Sequence, residues 1–217
     1  MSAERVFQII DEGTPEELRV LLAERPVLAT SRNEAGVSAV LYTLYQRKEE
    51  HRAVVLAAEP ELDAVDAAAL GDVDRLKSLV GDDPDCVHRP ARDGFFPLHV
   101  ACFFADSRTV DFLLDLGTDV SVVSGPPMNL QPLHSAAAAG NLDSCRLLLE
   151  RGANPDATQQ GGWTPLHSAA MHGNLALASL LIEFGAGRSL AADVGKTALD
   201  LARDGGHDEI AALLAAE

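Results

Sequence analysis

Three histidines recur at corresponding places along the chain, and they are the first candidates for chemistry. His99, His134 and His167 each follow a Pro-Leu pair, at intervals of 35 and 33 residues. Imidazole nitrogens bind zinc at about 2.0–2.1 Å, and a histidine next to a hydroxyl can serve as the general base of a nucleophile. The spacing therefore raises two hypotheses, a metal site and a hydrolytic site.

The periodicity argues against both hypotheses. Corresponding helices of consecutive repeats lie roughly 8–10 Å apart, which is too far for one zinc ion to collect two of these imidazoles. Neighbouring residues of a helix point in different directions, so Ser135 and Ser168 do not face the histidines that precede them. No nucleophile-elbow sequence is present, and no acid is placed to orient an imidazole. We therefore expect no catalytic residues, no metal site and no cofactor.

The histidines belong to a longer motif with a period near 33 residues. Its copies begin at Gly94, Asn129, Gly162 and Gly195. In the clearest copy, Thr164 can cap a helix and Pro165 fits the first helical position, where its missing N–H has no partner anyway. Gly173 can end that helix in a left-handed conformation. An apolar second helix follows, so the pattern predicts helix-turn-helix units that stack to build a common core.

This motif resembles the ankyrin repeat, clearly from Gly94 to Glu217 and in degraded form from Met1 to Arg92. The resemblance implies an all-α solenoid of about seven helix-turn-helix units with short β-turn hairpin loops, in a single domain over residues 1–217. The predicted units are 1–33, 34–61, 62–90, 91–125, 126–158, 159–191 and 192–217. The whole chain looks like stand-alone bacterial ankyrin-repeat proteins. In ankyrin-like units the motif histidine hydrogen-bonds the backbone of a neighbouring loop.

Some copies depart from the motif. Phe96 and Gln131 stand where Thr164 caps its helix, and Ala105 stands where glycine ends the equivalent helices. Asn129 replaces the turn glycine, and asparagine is the next-best residue for a positive φ. We expect these substitutions to weaken individual copies without changing the register.

Composition restricts the partners and the compartment. The chain has 17 Lys and Arg against 33 Asp and Glu, a net charge of −16. This charge repels nucleic acid and anionic membranes and favours a basic protein partner, although a plain solvated surface would explain it equally. The three cysteines lack CxxC spacing, no apolar run reaches the ~18 residues of a membrane span, and the first residues carry acids without a signal sequence. We predict a cytoplasmic monomer.

The resemblance implies a non-enzymatic protein–protein interaction module that binds its partner through a concave face. Turn tips and first helices line that face, and large apolar groups exposed there are typical of interaction sites. The register places there Tyr45, Phe95, Phe103, Phe104, Leu130, Trp163, Met171 and His172. The alternative is that each aromatic packs under the next turn, for example Trp163 against Pro126 and Pro127.

A rival function from another class is a small-molecule- or metal-responsive protein, or an enzyme. Its pocket would lie near the junction of the third and fourth units. Cys86, His88 and Arg92 lie close together in the sequence there, beside an irregular loop.

Overall fold

The computed structural model describes residues 3–216, and within them the secondary structure is helical. Fourteen α-helices follow one another in seven consecutive pairs within residues 3–216. They are α1 Ala3–Glu12, α2 Pro15–Glu24, α3 Ala39–Tyr45, α4 Glu49–Ala57, α5 Ala64–Leu70, α6 Val73–Asp82, α7 Pro97–Phe104, α8 Ser107–Asp115, α9 Pro132–Ala139, α10 Leu142–Glu150, α11 Pro165–Met171, α12 Leu175–Glu183, α13 Ala198–Asp204 and α14 Asp208–Ala215. Short 3-10 helices, Pro26–Thr30 and Pro84–His88, follow α2 and α6. The predicted all-α class of helix-turn-helix repeats is confirmed.

The chain divides into two compact units, residues 1–97 and 98–217. Met1, Ser2 and Glu217, which the predicted first and last repeats include, lie outside the described residues. The boundaries of the predicted repeats and the single domain remain predictions.

The core of residues 1–97 forms where α1 and α2 pack with α3 and α4. Ile10 and Leu18 are fully buried, and Phe7 meets the ring of Tyr42 edge-on, with 5.2 Å between ring centroids. The Tyr42 hydroxyl donates to the Asp11 carboxylate at 2.8 Å, so the polar end of this aromatic pair is satisfied. Burying these apolar groups is the main stabilisation of this end of the chain.

In residues 98–217, one leucine recurs at the same place in successive first helices. Leu98, Leu133 and Leu166 each follow the helix-starting proline and are almost completely buried. The small residues Ala136 and Ala169 are also buried, which lets neighbouring helices approach closely. The second helices add further buried leucines, namely Leu113, Leu148, Leu177, Leu180 and Leu181. One unit could not cover these faces alone, so stacking creates the core.

Helix capping follows the motif closely. The Thr164 side chain accepts from the His167 backbone N–H, and Thr197 caps α13 in the same way through Asp200. Asp63, the residue before α5, caps that helix: its side chain accepts from the Asp66 backbone N–H, and the Asp66 side chain accepts from the Asp63 backbone N–H. Gln131 is weaker, because its Oε1 is buried with no hydrogen-bond partner within residues 3–216. A missing partner of this kind destabilises the fold, which agrees with the expectation of a weaker fifth copy.

The turns before the first helices share one hydrogen-bond pattern. In the turn before α11, Gln159 N–H donates to the Trp163 carbonyl at 2.9 Å, and Gly162 N–H donates back to Gln159 at 3.0 Å. The turns ahead of α3, α7 and α13 repeat this pair of bonds. Asn129 has φ of 48°, as expected for the residue that replaces the turn glycine. In the described residues, β-type backbone pairing is limited to isolated antiparallel bridges, such as that between Ala191 and Thr197.

Candidate functional site

The motif histidines fix the turns of the next units. The Nε2 atom of His99 lies 3.0 Å from the Leu130 carbonyl oxygen, and that of His167 lies 3.1 Å from the Lys196 carbonyl oxygen. His134 Nε2 instead lies 2.9 Å from the carbonyl oxygen of Ala157, which precedes the turn that carries Trp163. A carbonyl can only accept, so Nε2 carries the hydrogen in each ring. The predicted hydrogen bonds to loop backbone are confirmed.

The other ring nitrogen is also used. His134 Nδ1 accepts the Gln131 backbone N–H, and His167 Nδ1 accepts that of Thr164, each at 3.1 Å. These two partners require the neutral imidazole. Burial accordingly lowers the pKa of all three histidines, that of His99 to about 4. The geometry makes these histidines structural clamps.

Residues 1–97 contain an aspartate at the position of these histidines. Asp66 is the third residue of α5, as His167 is of α11, and it is buried. The Ser38 hydroxyl donates to its carboxylate, and Arg32 Nη2 lies 3.5 Å from its Oδ2 atom. Burial is the main reason why the pKa of Asp66 rises to about 6, with the Asp63 charge adding to it. Sequence reasoning missed Asp66, although its place three residues after the helix cap was visible.

The predicted partner-binding residues of 98–217 differ in exposure. Phe103 is 39% exposed and Met171 is 47% exposed, and His172 is also exposed. Phe104 is half-buried and packs edge-on against Phe103, with ring centroids 4.8 Å apart. Leu130 corrects the prediction, because it is only 7% exposed. Its side chain contributes to packing and cannot offer a contact surface.

A surface pocket of about 190 Å³ brings together three of the predicted residues. Its lining consists of His134, Ala138, Gln159, Trp163, Thr164, Ser168, Met171 and His172. These residues come from α9, from α11 and from the turn before α11. We call this the Trp163 pocket. It brings Trp163, Met171 and His172 onto one concave surface, which Phe103 and Phe104 do not line.

The indole of Trp163 packs against His167, and Gly161 leaves room for it. Its ring lies edge-on to His167, with 5.4 Å between ring centroids and an interplanar angle of 84°. A Cβ built at Gly161 would lie 2.9 Å from the indole Nε1, so this glycine leaves room for the ring. Trp163 itself is half-buried, as expected for a turn tip. The tryptophan is therefore a preorganised, partly exposed surface.

Comparison with known proteins agrees with this architecture. A family model described as "Ankyrin repeat" matches residues 93–124, and one described as "Ankyrin repeats (many copies)" matches residues 133–182. Residues 93–124 and 133–182 are therefore ankyrin repeats. The matches cover the turn–helix copies that hold the clamping histidines and Trp163.

A curated relative is similar to part of the chain. The "ADP-ribosylation factor GTPase-activating protein AGD4" of Arabidopsis thaliana is 35% identical over 74 residues. Those residues make up 34% of this chain and 9% of the relative. The likeness therefore concerns a small segment of that protein.

Residues 1–97 contain two of the predicted binding residues. Tyr45 is 38% exposed at the end of α3, and its hydroxyl donates to Asp93 Oδ2 at 3.1 Å. Phe95 is half-buried on the turn before α7. Val37, at the corresponding place of an earlier turn, is buried at 6% exposure. Position on a turn tip therefore does not by itself expose a side chain.

Two residues of the rival pocket, Arg92 and Cys86, have surroundings that disfavour a reactive site. The aliphatic stem of Arg92 covers Gly36, where an added Cβ would lie 2.5 Å from Arg92 Cβ. Burial raises the pKa of the Cys86 thiol, which makes it a poorer nucleophile.

Within residues 3–216 no cluster of three His, Cys, Asp or Glu side chains could hold a metal ion. No helix in that range is both long and apolar enough to span a membrane.

Proposed function

We propose that this protein is a non-enzymatic module that binds a protein partner through turn tips and first helices on a concave face. Ankyrin repeats generally act as protein–protein interaction modules, and the family is typically without enzymatic activity. The observation that carries the proposal is the Trp163 pocket, where an aromatic, a thioether and an imidazole side chain share one concave surface. Aromatic anchors in pockets are the common energetic centre of protein interfaces.

The remaining exposed aromatics extend this proposal. In residues 98–217, Phe103 and Phe104 form an aromatic pair at the end of α7. In residues 1–97, Tyr45 and Phe95 are candidates for a second set of contacts. Leu130 is left out because it is buried.

Charge and cysteine usage supply the finer predictions. The net charge of −16 favours a basic partner, because opposite charge speeds diffusional encounter. Cys86, Cys102 and Cys145 are all free, in keeping with the predicted cytoplasmic location. We further propose that the protein acts as a monomer.

The test combines partner capture with matched alanine variants. A partner isolated on the immobilised protein from its native source is purified, and its Kd is then measured for each variant. Trp163→Ala and Phe103→Ala should each weaken binding by about tenfold or more, because hot-spot residues contribute about 2 kcal/mol.

Val20→Ala provides the control. Val20 is 53% exposed on α2, a second helix, and does not line the Trp163 pocket, so this substitution should leave the Kd within about twofold. If Trp163→Ala and Phe103→Ala both bind the partner as tightly as wild type, this surface is not the binding site.

A further inference from the structure

The Trp163 pocket has an uncharged lining, but an unpaired carboxylate lies close to it. No Lys, Arg, Asp or Glu side chain contributes to the lining. A Cβ built at Gly162, the residue before Trp163, would lie 2.7 Å from Asp193 Oδ1. Within residues 3–216 the exposed Asp193 carboxylate has no hydrogen-bond or ion-pair partner, although its backbone N–H donates to Gly161 at 2.9 Å. The backbone of Asp193 is therefore held against the turn that carries Trp163, and its carboxylate is unpaired.

The pocket also contains hydrogen-bonding atoms that are left unused. His172 Nδ1 lies 2.9 Å from the Ser168 carbonyl oxygen, so this nitrogen carries a hydrogen and is occupied. His172 Nε2 has no partner within the described residues, and neither has the side-chain amide of Gln159. A ligand entering the pocket therefore finds an imidazole nitrogen and a side-chain amide that can accept hydrogen bonds.

Size restricts what can enter. The pocket volume of about 190 Å³ lies below the range of about 300–1,000 Å³ that is typical of small-molecule and cofactor sites. One side chain of a partner protein fits such a volume better than a free metabolite does. The pocket is therefore suited to an anchor residue.

The chemistry selects a cation for that anchor. Residues 98–217 contain six Lys or Arg against fourteen Asp or Glu, a balance of −8, so the field there attracts positive charge. An indole attracts a cation through its π-face, and tryptophan does so best among the aromatics. A planar guanidinium stacks on such a ring and still has five N–H donors to share, whereas an ammonium offers a point charge.

We propose that the Trp163 pocket binds an arginine side chain of the protein partner. The guanidinium stacks on the Trp163 indole and donates to His172 Nε2 and to the Asp193 carboxylate. This inference rests on the proposed function, since it names the anchor that the partner supplies to the same surface.

The direct test uses short peptides and the unmodified protein. The four probes are acetyl-Gly-X-Gly-amide peptides in which X is arginine, citrulline, lysine or leucine. The chain has one tryptophan, so its indole N–H signal in a ¹H–¹⁵N spectrum reports binding at this pocket alone. Citrulline keeps the shape of arginine and lacks its charge.

We expect the arginine peptide to shift the indole signal with a Kd about fivefold or more below that of the citrulline peptide, as the strength of a cation–π contact implies. The lysine peptide should rank between the two. A citrulline or leucine peptide that binds as tightly as the arginine peptide overturns the proposal, as does an indole signal that none of the peptides moves.

A charge variant gives an independent test. Asp193→Asn should weaken the arginine peptide about threefold or more and leave the citrulline peptide unchanged. Glu150→Gln, which removes the same charge from an exposed residue of α10 outside the pocket, is the matched control and should have no such effect. Equal weakening by both substitutions would reduce Asp193 to part of the general field and contradict its assigned role.

The two proposals fail in different ways. If Trp163→Ala and Phe103→Ala weaken the protein partner while the arginine peptide stays inert, the binding surface stands and the arginine anchor is wrong. If the arginine peptide binds but neither alanine substitution affects the partner, the pocket exists and the partner uses another surface.

Discussion

One position of the repeat carries an acid in residues 1–97 and a base in three first helices of residues 98–217. In residues 1–97, the third residue of α5 is Asp66, which accepts from Ser38 and Arg32, earlier in the chain. In residues 98–217, the third residues of α7, α9 and α11 are histidines, which donate to carbonyls later in the chain. The buried acid has a raised pKa, whereas His99 and its two counterparts have lowered values.

Burial explains both directions. A low-dielectric surrounding disfavours whichever form is charged, so it raises the pKa of an acid and lowers that of a base. Asp200, the third residue of α13, completes the comparison, because hydrogen bonds from the Thr197 backbone and side chain lower its pKa at a partly exposed site. Position in the motif sets the partners of a side chain, and stacking sets its electrostatics.

The largest effect should come from removing a clamping histidine. We expect His99→Ala to lower the free energy of unfolding by about 3–4 kcal/mol, because it leaves buried backbone groups unpaired and opens a cavity. Urea denaturation measures this change. His172→Ala is the control, since this exposed histidine should cost less than about 0.5 kcal/mol. Equal losses from the two substitutions would show that the hydrogen bonds of the buried histidines carry no special weight.

Acid should destabilise the histidine clamps. His99 has a pKa of about 4 in the folded protein and about 6.5 when unfolded, so the unfolded state binds more protons between these values. Its contribution is therefore fully present above about pH 6.5 and is lost as the pH falls towards 4, by up to about 3 kcal/mol.

Urea denaturation of wild type and His99→Gln at several pH values measures this contribution. The variant should lose less stability than wild type on acidification from pH 7 to 4, because glutamine does not titrate. Parallel stability curves for the two proteins would contradict the assignment.

The smallest effect, and one of opposite sign, should come from Asp66. Its folded pKa of about 6 lies above the unfolded value near 3.9, so the folded state binds more protons in this window. The stabilisation is present below about pH 4 and is lost as the pH rises through 6. Between pH 4 and 7, the free energy of unfolding of Asp66→Asn should therefore rise by about 2 kcal/mol relative to that of wild type.

Asp200→Asn is the matched control for this substitution. The pKa of Asp200 is lowered in the folded state, so this carboxylate stabilises wild type more as the pH rises. The free energy of unfolding of the variant should therefore fall relative to that of wild type over the same pH window. The same sign for both aspartates would show that burial does not separate them. The charged and titratable side chains that face Asp66 are Asp63, Arg32 and Tyr45, and all three are kept in the Asp66→Asn variant.

Much of the local structure could be predicted from the sequence. The capping role of Thr164, the left-handed turn at Asn129 and the backbone contacts of the motif histidines are all confirmed. Other local details were not visible, such as the positive φ of Arg47 and Glu59, which have side chains that rarely adopt it. Local hydrogen bonds and backbone preferences act over a few residues, so one repeat carries enough information for them.

Only the tertiary structure decided which side chains are exposed. Leu130 and Trp163 occupy equivalent turn tips, yet Leu130 is buried, while Trp163 is partly exposed in a pocket wall. Asp66 follows its helix cap as Asp200 does, yet only Asp66 is buried. The sequence by itself determined the repeat, its caps and its clamping bonds. Burial depends on what the neighbouring repeats place over each residue, and that packing determines both the pKa shifts and the candidate binding surface.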